Sequence, residues 1–172
     1  WTNEFMDAAC TTLKDVYGSQ LYGIKTGLNG AFVIDNATKE CLCAQDPRSA
    51  DLLKPFLEGK DLKRWRAEPR GLWLIYIPKN RIEIDDYPAI REWLLPFKAA
   101  LEARATKQEW FELQQAQEAY APHFAARKIV YCRFLQEHAF APVWGPEFIN
   151  NALFALAYDG ALLALLNSPI TW

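Results

Sequence analysis

Charged residues between positions 51 and 60 match a pattern that supports phosphodiester cleavage. Asp51 precedes Glu58-Gly59-Lys60, an acidic residue followed by the Glu-x-Lys order of metal-dependent nucleases. Two carboxylates and a lysine are the groups that metal-assisted cleavage requires. The apolar residues between them have helical spacing, whereas such a site needs adjacent strands. We therefore keep a metal-dependent nuclease only as a minor hypothesis.

A glycine-rich segment, residues 22–34, offers a second kind of chemistry. Its glycines let a partner approach the backbone closely, and Lys25, Thr26 and Asn29 supply hydrogen-bond donors for a phosphate or a base edge. The spacing matches neither a Walker loop nor a dinucleotide-binding fingerprint. The Gly-Leu-Asn-Gly order has the spacing of the clamp in KH domains, but that clamp joins two helices and here a strand is predicted to follow. Spacing alone favours an ordinary tight turn.

Residues 59–70 concentrate positive charge in a chain whose formal net charge is −2. Five basic residues stand against two acidic ones there, Lys60, Lys63, Arg64, Arg66 and Arg70 against Asp61 and Glu68. Lysines are suited to contact DNA phosphates, and phosphate contacts supply most of the affinity of a protein for DNA. Arginines suit base edges or paired phosphate contacts. The alternative is a solvated loop with Trp65 packed on the core, and the residues alone favour neither interpretation.

Composition limits the classes of protein to which the chain can belong. Its 172 residues, 51% hydrophobic and 14% aromatic, are enough for one well-buried domain. The four cysteines have neither a disulfide-framework nor a zinc-site spacing, so we expect reduced thiols and a cytoplasmic protein. No apolar run is long enough to span a bilayer. The start at Trp1 leads us to expect a fragment of a longer protein.

Apolar periodicity and turn residues predict the elements that position these segments. The predicted helices are residues 3–17, 46–59, 87–104, 108–119 and 161–166. The predicted strands are residues 31–34, 40–44, 71–77, 127–134, 139–144 and 148–157. Pro96 is expected to kink the helix that contains it. Strands separated by helices at irregular intervals predict a single α+β domain with a small mixed β-sheet and several flanking helices.

Seven sequence blocks occur in an order that resembles a known family. They are GIKTGLNGAFVID, LLKPFLEGKDLKRWR, GLWLIYIP, YPAIREWLLPFKAALEAR, RKIVYC, FINNALFAL and LLALLNSPITW. In this order and spacing they resemble the TaqI-like C-terminal specificity domain, the target-recognition domain of adenine-N6 DNA methyltransferases and of fused type II restriction-modification enzymes. The resemblance extends over about residues 20–172.

The resemblance implies a role in recognising DNA. It implies a target-recognition domain at residues 19–172, preceded at residues 1–18 by a helical linker from another domain. Such a domain binds double-stranded DNA and holds it for the methyltransferase domain of the same parent chain. The DNA-binding candidates are Lys25, Thr26, Asn29, Lys60, Lys63, Arg64, Arg66 and Arg70. We expect the basic side chains of Lys25, Lys60, Lys63, Arg64 and Arg66 to lie on one face of the domain.

Methyl transfer is not expected from this segment itself. Enzymes of this family stack the flipped adenine on an (Asn/Asp/Ser)-Pro-Pro-(Tyr/Phe/Trp) motif and bind S-adenosylmethionine with a Phe-x-Gly-x-Gly loop, and neither motif occurs here. S-adenosylmethionine, and Mg²⁺ if the parent also cleaves DNA, would belong to the rest of that enzyme. We expect no catalytic residue and no metal site in the segment. A protein-interaction or scaffold domain without DNA binding is the main alternative, favoured by the acidic net charge and the many aromatic residues.

Overall fold

The computed structural model describes residues 11–134 and 139–169. Within them the α-helices are α1 (Leu13–Tyr17), α2 (Asn29–Phe32), α3 (Asn36–Gln45), α4 (Ser49–Leu52), α5 (Pro88–Leu94), α6 (Lys98–Glu102), α7 (Ala121–Ala125) and α8 (Gly160–Leu166). The strands are β1 (Leu21–Tyr22), β2 (Val33–Ile34), β3 (Leu53–Leu57), β4 (Leu62–Lys63), β5 (Arg66–Ala67), β6 (Leu72–Ile75), β7 (Lys128–Cys132), β8 (Ala141–Val143), β9 (Phe148–Ile149) and β10 (Leu153–Ala157). No helix among the described residues is long and apolar enough to cross a membrane.

Two four-stranded sheets carry most of the β structure. The first sheet has the strand order β1-β10-β7-β8 and is antiparallel throughout. The second sheet has the order β2-β6-β3-β9 and is mixed, because β9 runs parallel to β3. β4 and β5 form a separate hairpin. The predicted α+β class is confirmed, although the strands are divided between two sheets and a hairpin.

Two hydrophobic clusters hold the sheets in place. The larger cluster contains Phe32 of α2, Phe56 of β3 and Ile90 of α5, all fully buried. The smaller cluster joins α8 to the first sheet through Leu162 and Ile129. Burying each side chain of this kind stabilises the fold by roughly 1.5–3 kcal/mol. The elements that carry the candidate residues are therefore mounted on a packed core.

Residues 21–24 join the two sheets. β1 pairs with β10 in the first sheet, and the amide of Gly23 continues this pairing by donating to the carbonyl of Leu153 (3.2 Å). One residue later the amide of Ile24 donates to the carbonyl of Ile149 in the second sheet (2.7 Å). The chain therefore passes from one sheet to the other at Gly23.

The predicted strand 148–157 makes the same transfer and is therefore two strands, β9 and β10. In the turn between them the side-chain oxygen of Asn150 accepts from the amide of Ala152 (3.1 Å). The backbone of Gly23 passes so close to this turn that a Cβ atom there would overlap the carbonyl oxygen of Asn150. Position 23 therefore requires glycine.

The helix predicted at residues 46–59 is wrong beyond its first turn. α4 ends at Leu52, and the next residues form β3 between β6 and β9. Pro55 explains this outcome, because proline lacks the amide that a helix interior needs. β9 pairs only with Phe56 and Leu57, so β3 is an edge on that side at Pro55 and tolerates the proline.

Two predictions in the segment before β3 are also wrong. The strand predicted at residues 40–44 is part of helix α3, because Asp35 caps that helix by accepting from the amide of Thr38 (2.8 Å). The strand predicted at residues 31–34 begins only at Val33, after the single helical turn of α2. At α3 a polar cap therefore outweighed the spacing of apolar residues.

The helix predicted at residues 108–119 is absent from the structure. This segment is extended where Gln115 pairs with Lys25, and the amide of Gln115 donates to the Lys25 carbonyl at 2.8 Å. Gln117 has φ +54°, a left-handed conformation that no α-helix contains. Hydrogen bonds to distant segments therefore override a weak helical pattern.

Predictions that rest on long apolar runs and clear end signals are confirmed. β6 lies within the predicted strand 71–77, and α8 begins after Asp159, which caps it. α5 changes to a 3₁₀ turn that contains Pro96, as the predicted kink requires. By contrast, the helix predicted at residues 3–17 is not continuous, because α1 begins at Leu13 with Thr12 as its cap, which accepts from the amide of Asp15 (3.2 Å); residues 3–10 lie outside the described part.

Candidate nucleic-acid interface

The glycine turn, residues 25–30, is held from inside. Thr26 is buried, and its hydroxyl donates to the side-chain oxygen of Asn29 at 2.6 Å. Gly27 has φ +83°, a left-handed conformation that favours glycine. Thr26 therefore shapes the turn, whereas the side chain of Lys25 is exposed.

Arg104 fixes the glycine turn from the end of α6. Its guanidinium donates to the backbone carbonyls of Thr26 (3.1 Å), Trp110 (2.9 Å) and Glu112 (2.8 Å). Burial lowers the pKa of Arg104, and the negative charge of Glu112 opposes this shift. The sequence did not single out Arg104, because a basic residue after a helix is an ordinary C-terminal signal. Its partners are loop carbonyls, which no residue pattern identifies.

Backbone pairing brings the glycine turn and the basic stretch to one edge of the structure. Asn150 donates its amide to the carbonyl of Leu57 (3.1 Å) and forms a parallel bridge with Ile24 on its other side. Two strand spacings, roughly 10 Å, therefore separate the backbones of Leu57 and Ile24. The chain leaves both in the same direction, towards exposed Lys60 and exposed Lys25. We call the edge where these two lysines emerge the lysine edge.

The β4–β5 hairpin carries most of the remaining basic residues. Lys63 is exposed and, like Lys60, forms no ion pair with a described residue. Arg66 pairs with Glu68 at 2.7 Å, but both side chains are exposed and such a pair contributes little. Arg64 donates to the backbone carbonyl of Asn167 after α8. The hairpin therefore presents cations that are held to different degrees.

Trp65 lies at the tip of this hairpin and faces solvent. It is 47% exposed and belongs to neither hydrophobic cluster of the described residues. Its amide donates to the carbonyl of Phe140 (3.2 Å), so the backbone is anchored while the indole is not buried. The alternative in which Trp65 packs on the core is therefore wrong.

Arg70 closes the base of the hairpin. Its Nε lies 2.6 Å from Oδ1 of fully buried Asp61, and its Nη2 lies 2.8 Å from Oε2 of Glu58. Hydrogen bonds to Asp61 and then to Glu58 raise the pKa of Arg70. A phosphate bound by Arg70 would share a guanidinium that already holds two carboxylates. Its contact with DNA stays a prediction.

The carboxylates of the nuclease hypothesis lie apart. Asp51 and Glu58 flank β3, a strand of five residues that spans roughly 13 Å. Glu58 is also paired with Arg70. No group of three or more histidine, cysteine, aspartate or glutamate side chains in the described part of the chain could hold a metal ion. The geometry therefore gives this hypothesis no support.

Replacing Gly27 by alanine is expected to lower the free energy of unfolding by about 1–3 kcal/mol. The cause is the positive φ together with a Cβ atom 2.7 Å from Cδ of Arg104. Gly30→Ala is the matched control, because Gly30 lies within α2 and has open space around it. Thermal melting of both variants tests this. Equal melting temperatures for the two would show that the conformation of Gly27 is unimportant.

Comparisons with known proteins identify a fold relative. No protein-family model and no curated protein sequence matches the chain. Its fold is similar to part of MmeI, a type IIL restriction-modification enzyme whose structure was determined in complex with DNA. The match has a TM-score of 0.55 and 16% sequence identity, and it covers 87% of this chain and 20% of the MmeI chain. The chain thus spans a fifth of that enzyme and has the fold of a segment of a restriction-modification protein.

Proposed function

We propose that this chain is the DNA sequence-recognition domain of a restriction-modification adenine-N6 methyltransferase. The fold similarity to part of MmeI supports this proposal, because that enzyme was solved with DNA. The ordered sequence blocks that resemble TaqI-like specificity domains support the narrower assignment to an adenine-N6 enzyme. The domain binds double-stranded DNA and positions it for the methyltransferase domain of the same parent chain.

The lysine edge is the observation that carries the proposal. Lys25 and Lys60 come from separate parts of a chain whose net charge is −2, yet the strands deliver them to one edge. Lys63 follows directly in the hairpin. Exposed lysines without carboxylate partners among the described residues are suited to a row of phosphates. A net acidic chain binds DNA only through such a local concentration of positive charge.

Positioning and recognition fall to different side chains in this proposal. Phosphate contacts fix the register of a protein on DNA, and base contacts carry the sequence information. Lys60 and Lys63 are compact charges on flexible stems, which suit phosphates. Arg64 and Arg66 have planar forks, which suit guanine edges or two phosphate oxygens. Because the Arg66 partner is an exposed glutamate, its guanidinium can exchange that partner for DNA at little cost.

The chemistry of methyl transfer is assigned to the rest of the parent enzyme. The chain contains neither the proline-rich motif that stacks a flipped adenine nor the glycine-rich motif for S-adenosylmethionine. We propose no residue of this chain as a ligand of that cofactor or of Mg²⁺. Its task is to bring the correct site within reach of a catalytic neighbour.

Replacing Lys60 or Lys63 by alanine is expected to weaken DNA binding to a similar extent on every sequence. Each lost phosphate contact should also lower the slope of log affinity against log salt by about 0.9. Fluorescence anisotropy of a labelled duplex at several salt concentrations measures both quantities. The same titrations on single-base variants of the duplex separate a loss of affinity from a loss of sequence preference.

Lys54→Ala is the matched control for these variants. Lys54 lies at the opposite end of β3 from Lys60, and its amine donates to the carbonyl of Asp51 (2.8 Å). This variant should keep the affinity and salt slope of the original chain. If the Lys60 and Lys63 variants keep them too, the basic stretch does not touch DNA. The interface would then be moved to the turn around Lys25.

A further inference from the structure

The tip of the β4–β5 hairpin holds a tryptophan in a conformation that tryptophan rarely adopts. Trp65 has φ +69°, in the left-handed region where glycine and asparagine are ordinary. A large side chain there is strained, and such strain concentrates at functional sites. Of the other described residues, only Asn80 and Gln117 among the non-glycines share a positive φ. Asparagine accepts this conformation more readily than tryptophan does.

Packing does not compensate the strain at Trp65. Nearly half of the side chain is exposed, and it joins neither hydrophobic cluster of the described residues. The Arg64 guanidinium is 6.0 Å from the ring centroid, at the outer limit of a cation–π contact. A structural account of Trp65 would require a place in a hydrophobic cluster, and among the described residues it has none.

The backbone beneath the indole is rigidly anchored. The carbonyl of Phe140 that accepts from the Trp65 amide also accepts from the side-chain amide of Asn167 (2.9 Å). Asn167 is fully buried and holds the end of α8 through the carbonyl of Leu163 (3.2 Å). The hairpin tip is therefore tied to the first sheet and to α8. A rigid mount of this kind fixes the indole before any ligand arrives.

Exposed cations flank Trp65 along the hairpin. Lys63, Arg64 and Arg66 precede and follow Trp65 in the hairpin and are all exposed. A second aromatic residue, Phe134, is 81% exposed. It follows β7, and β7 packs beside strand β4 of the hairpin. Flat apolar rings among positive charges match the stacked bases and phosphates of nucleic acid.

We propose that Trp65 is a stacking wedge that contacts a partly unstacked base pair in the bound duplex. This inference rests on the proposed DNA-binding function and assigns a specific part of it to one residue. Wedges of this type separate neighbouring base pairs and kink the duplex, so that more protein surface meets the DNA. The lysines at the lysine edge hold the phosphates while the indole covers a base face.

Trp65→Gly separates this role from a structural one. Glycine accepts the positive φ without strain, so the variant should melt at the same temperature as the original chain or higher. Its affinity for duplex DNA should nevertheless fall about tenfold or more. The salt slope should not change, because no charge is lost. Trp65→Phe keeps an aromatic face and should retain most of the affinity.

A duplex that contains 2-aminopurine reports the wedge directly. Its fluorescence should change at one position when the original chain binds, because the base there exchanges a neighbouring base for the indole, and Trp65→Gly should abolish that change. Wild-type affinity in Trp65→Gly, or a clear fall in its melting temperature, would overturn the inference while leaving DNA binding intact. If the original chain itself binds no duplex at low salt, the proposed function fails and the wedge fails with it.

Discussion

Gly23→Ala is expected to lower the free energy of unfolding by about 3–5 kcal/mol, or to prevent folding altogether. A Cβ atom at position 23 overlaps the carbonyl oxygen of Asn150, and the neighbouring Asn150 carbonyl carbon and Ile149 carbonyl oxygen are also too close. All of these are backbone atoms, so no rotation of a flexible side chain relieves the clash. The effect should therefore exceed that of Gly27→Ala, where the nearest atom belongs to the side chain of Arg104.

The position of Gly23 makes the clash costly for both sheets. Moving this residue away from Asn150 would break its own bond to Leu153 and the bond from Ile24 to Ile149. Urea unfolding followed by circular dichroism measures the loss, with Gly30→Ala as the control of equal chemistry. A Gly23→Ala variant that unfolds at the same urea concentration as the control would show that the crossing is not tight.

Lys128→Met is expected to lower the free energy of unfolding by about 1–3 kcal/mol at pH 7, because buried carbonyls lose their hydrogen-bond donor. Lys128 is 2% exposed, and its amine donates to the carbonyls of Phe124 (2.7 Å) and Gly145 (2.9 Å) and, at 3.4 Å, to that of Ala126. Methionine fills the space but donates nothing, so three carbonyls around it lose their partner. The amine therefore fastens the end of α7 to the turn after β8.

The pH dependence of stability provides a second signature of Lys128. Burial lowers its pKa from 10.5 to about 8, and the negative charge of Glu147 opposes this shift. Between pH 8 and 10.5 the unfolded chain therefore binds more protons at this amine than the folded chain. Since stability rises with pH where the unfolded state binds more protons, the contribution of Lys128 should increase across this window. The difference in stability between the original chain and Lys128→Met should grow with it.

Urea unfolding at pH 7 and at several pH values from 8 to 10 tests both expectations. Taking the difference in unfolding free energy between two chains cancels the contributions of the ionisable groups that they share. Lys54→Met is the control, because Lys54 is only half-buried and its amine donates to the carbonyl of Asp51 alone among the described residues. A constant difference across the pH range would contradict the lowered pKa of Lys128. Equal losses of unfolding free energy in Lys128→Met and Lys54→Met would contradict the role of the buried Lys128 amine in joining α7 to the turn after β8.

The sequence predicted the elements whose evidence is local. The apolar run within residues 71–77 became β6, and the cap at Asp159 became the start of α8. Where bonds to distant residues decide, local evidence failed. Residues 108–119 have some helical periodicity, yet the pairing of Gln115 with Lys25 makes the segment extended. Pairing partners that are far apart along the chain leave no pattern in either segment.

The sequence identified the candidate residues by their types, but it did not predict how they are arranged in space. The basic stretch and the glycine turn were identified, but nothing in them indicated that strands β3 and β9 deliver Lys60 and Lys25 to one edge. The supporting residue Arg104 was missed because its partners are carbonyls, which every residue possesses. The strain at Trp65 was also invisible, since a backbone angle becomes known only when the whole hairpin is placed.

During synthesis, residues 21–24 leave the ribosome more than 120 residues before the strands with which they pair. Strands β2, β3 and β6 can meet within residues 33–75, and β7, β8 and β10 within residues 128–157. Closing the long loop between residues 24 and 149 costs chain entropy before the new bonds offset it, and contacts of this separation slow folding. The two halves are therefore expected to assemble separately, with the crossing at Gly23 closing last. If synthesis stalls before residue 149, the strand β9 has not yet been made. β3 then remains an open edge of the second sheet, and residues 21–24 remain unpaired with their strand partners.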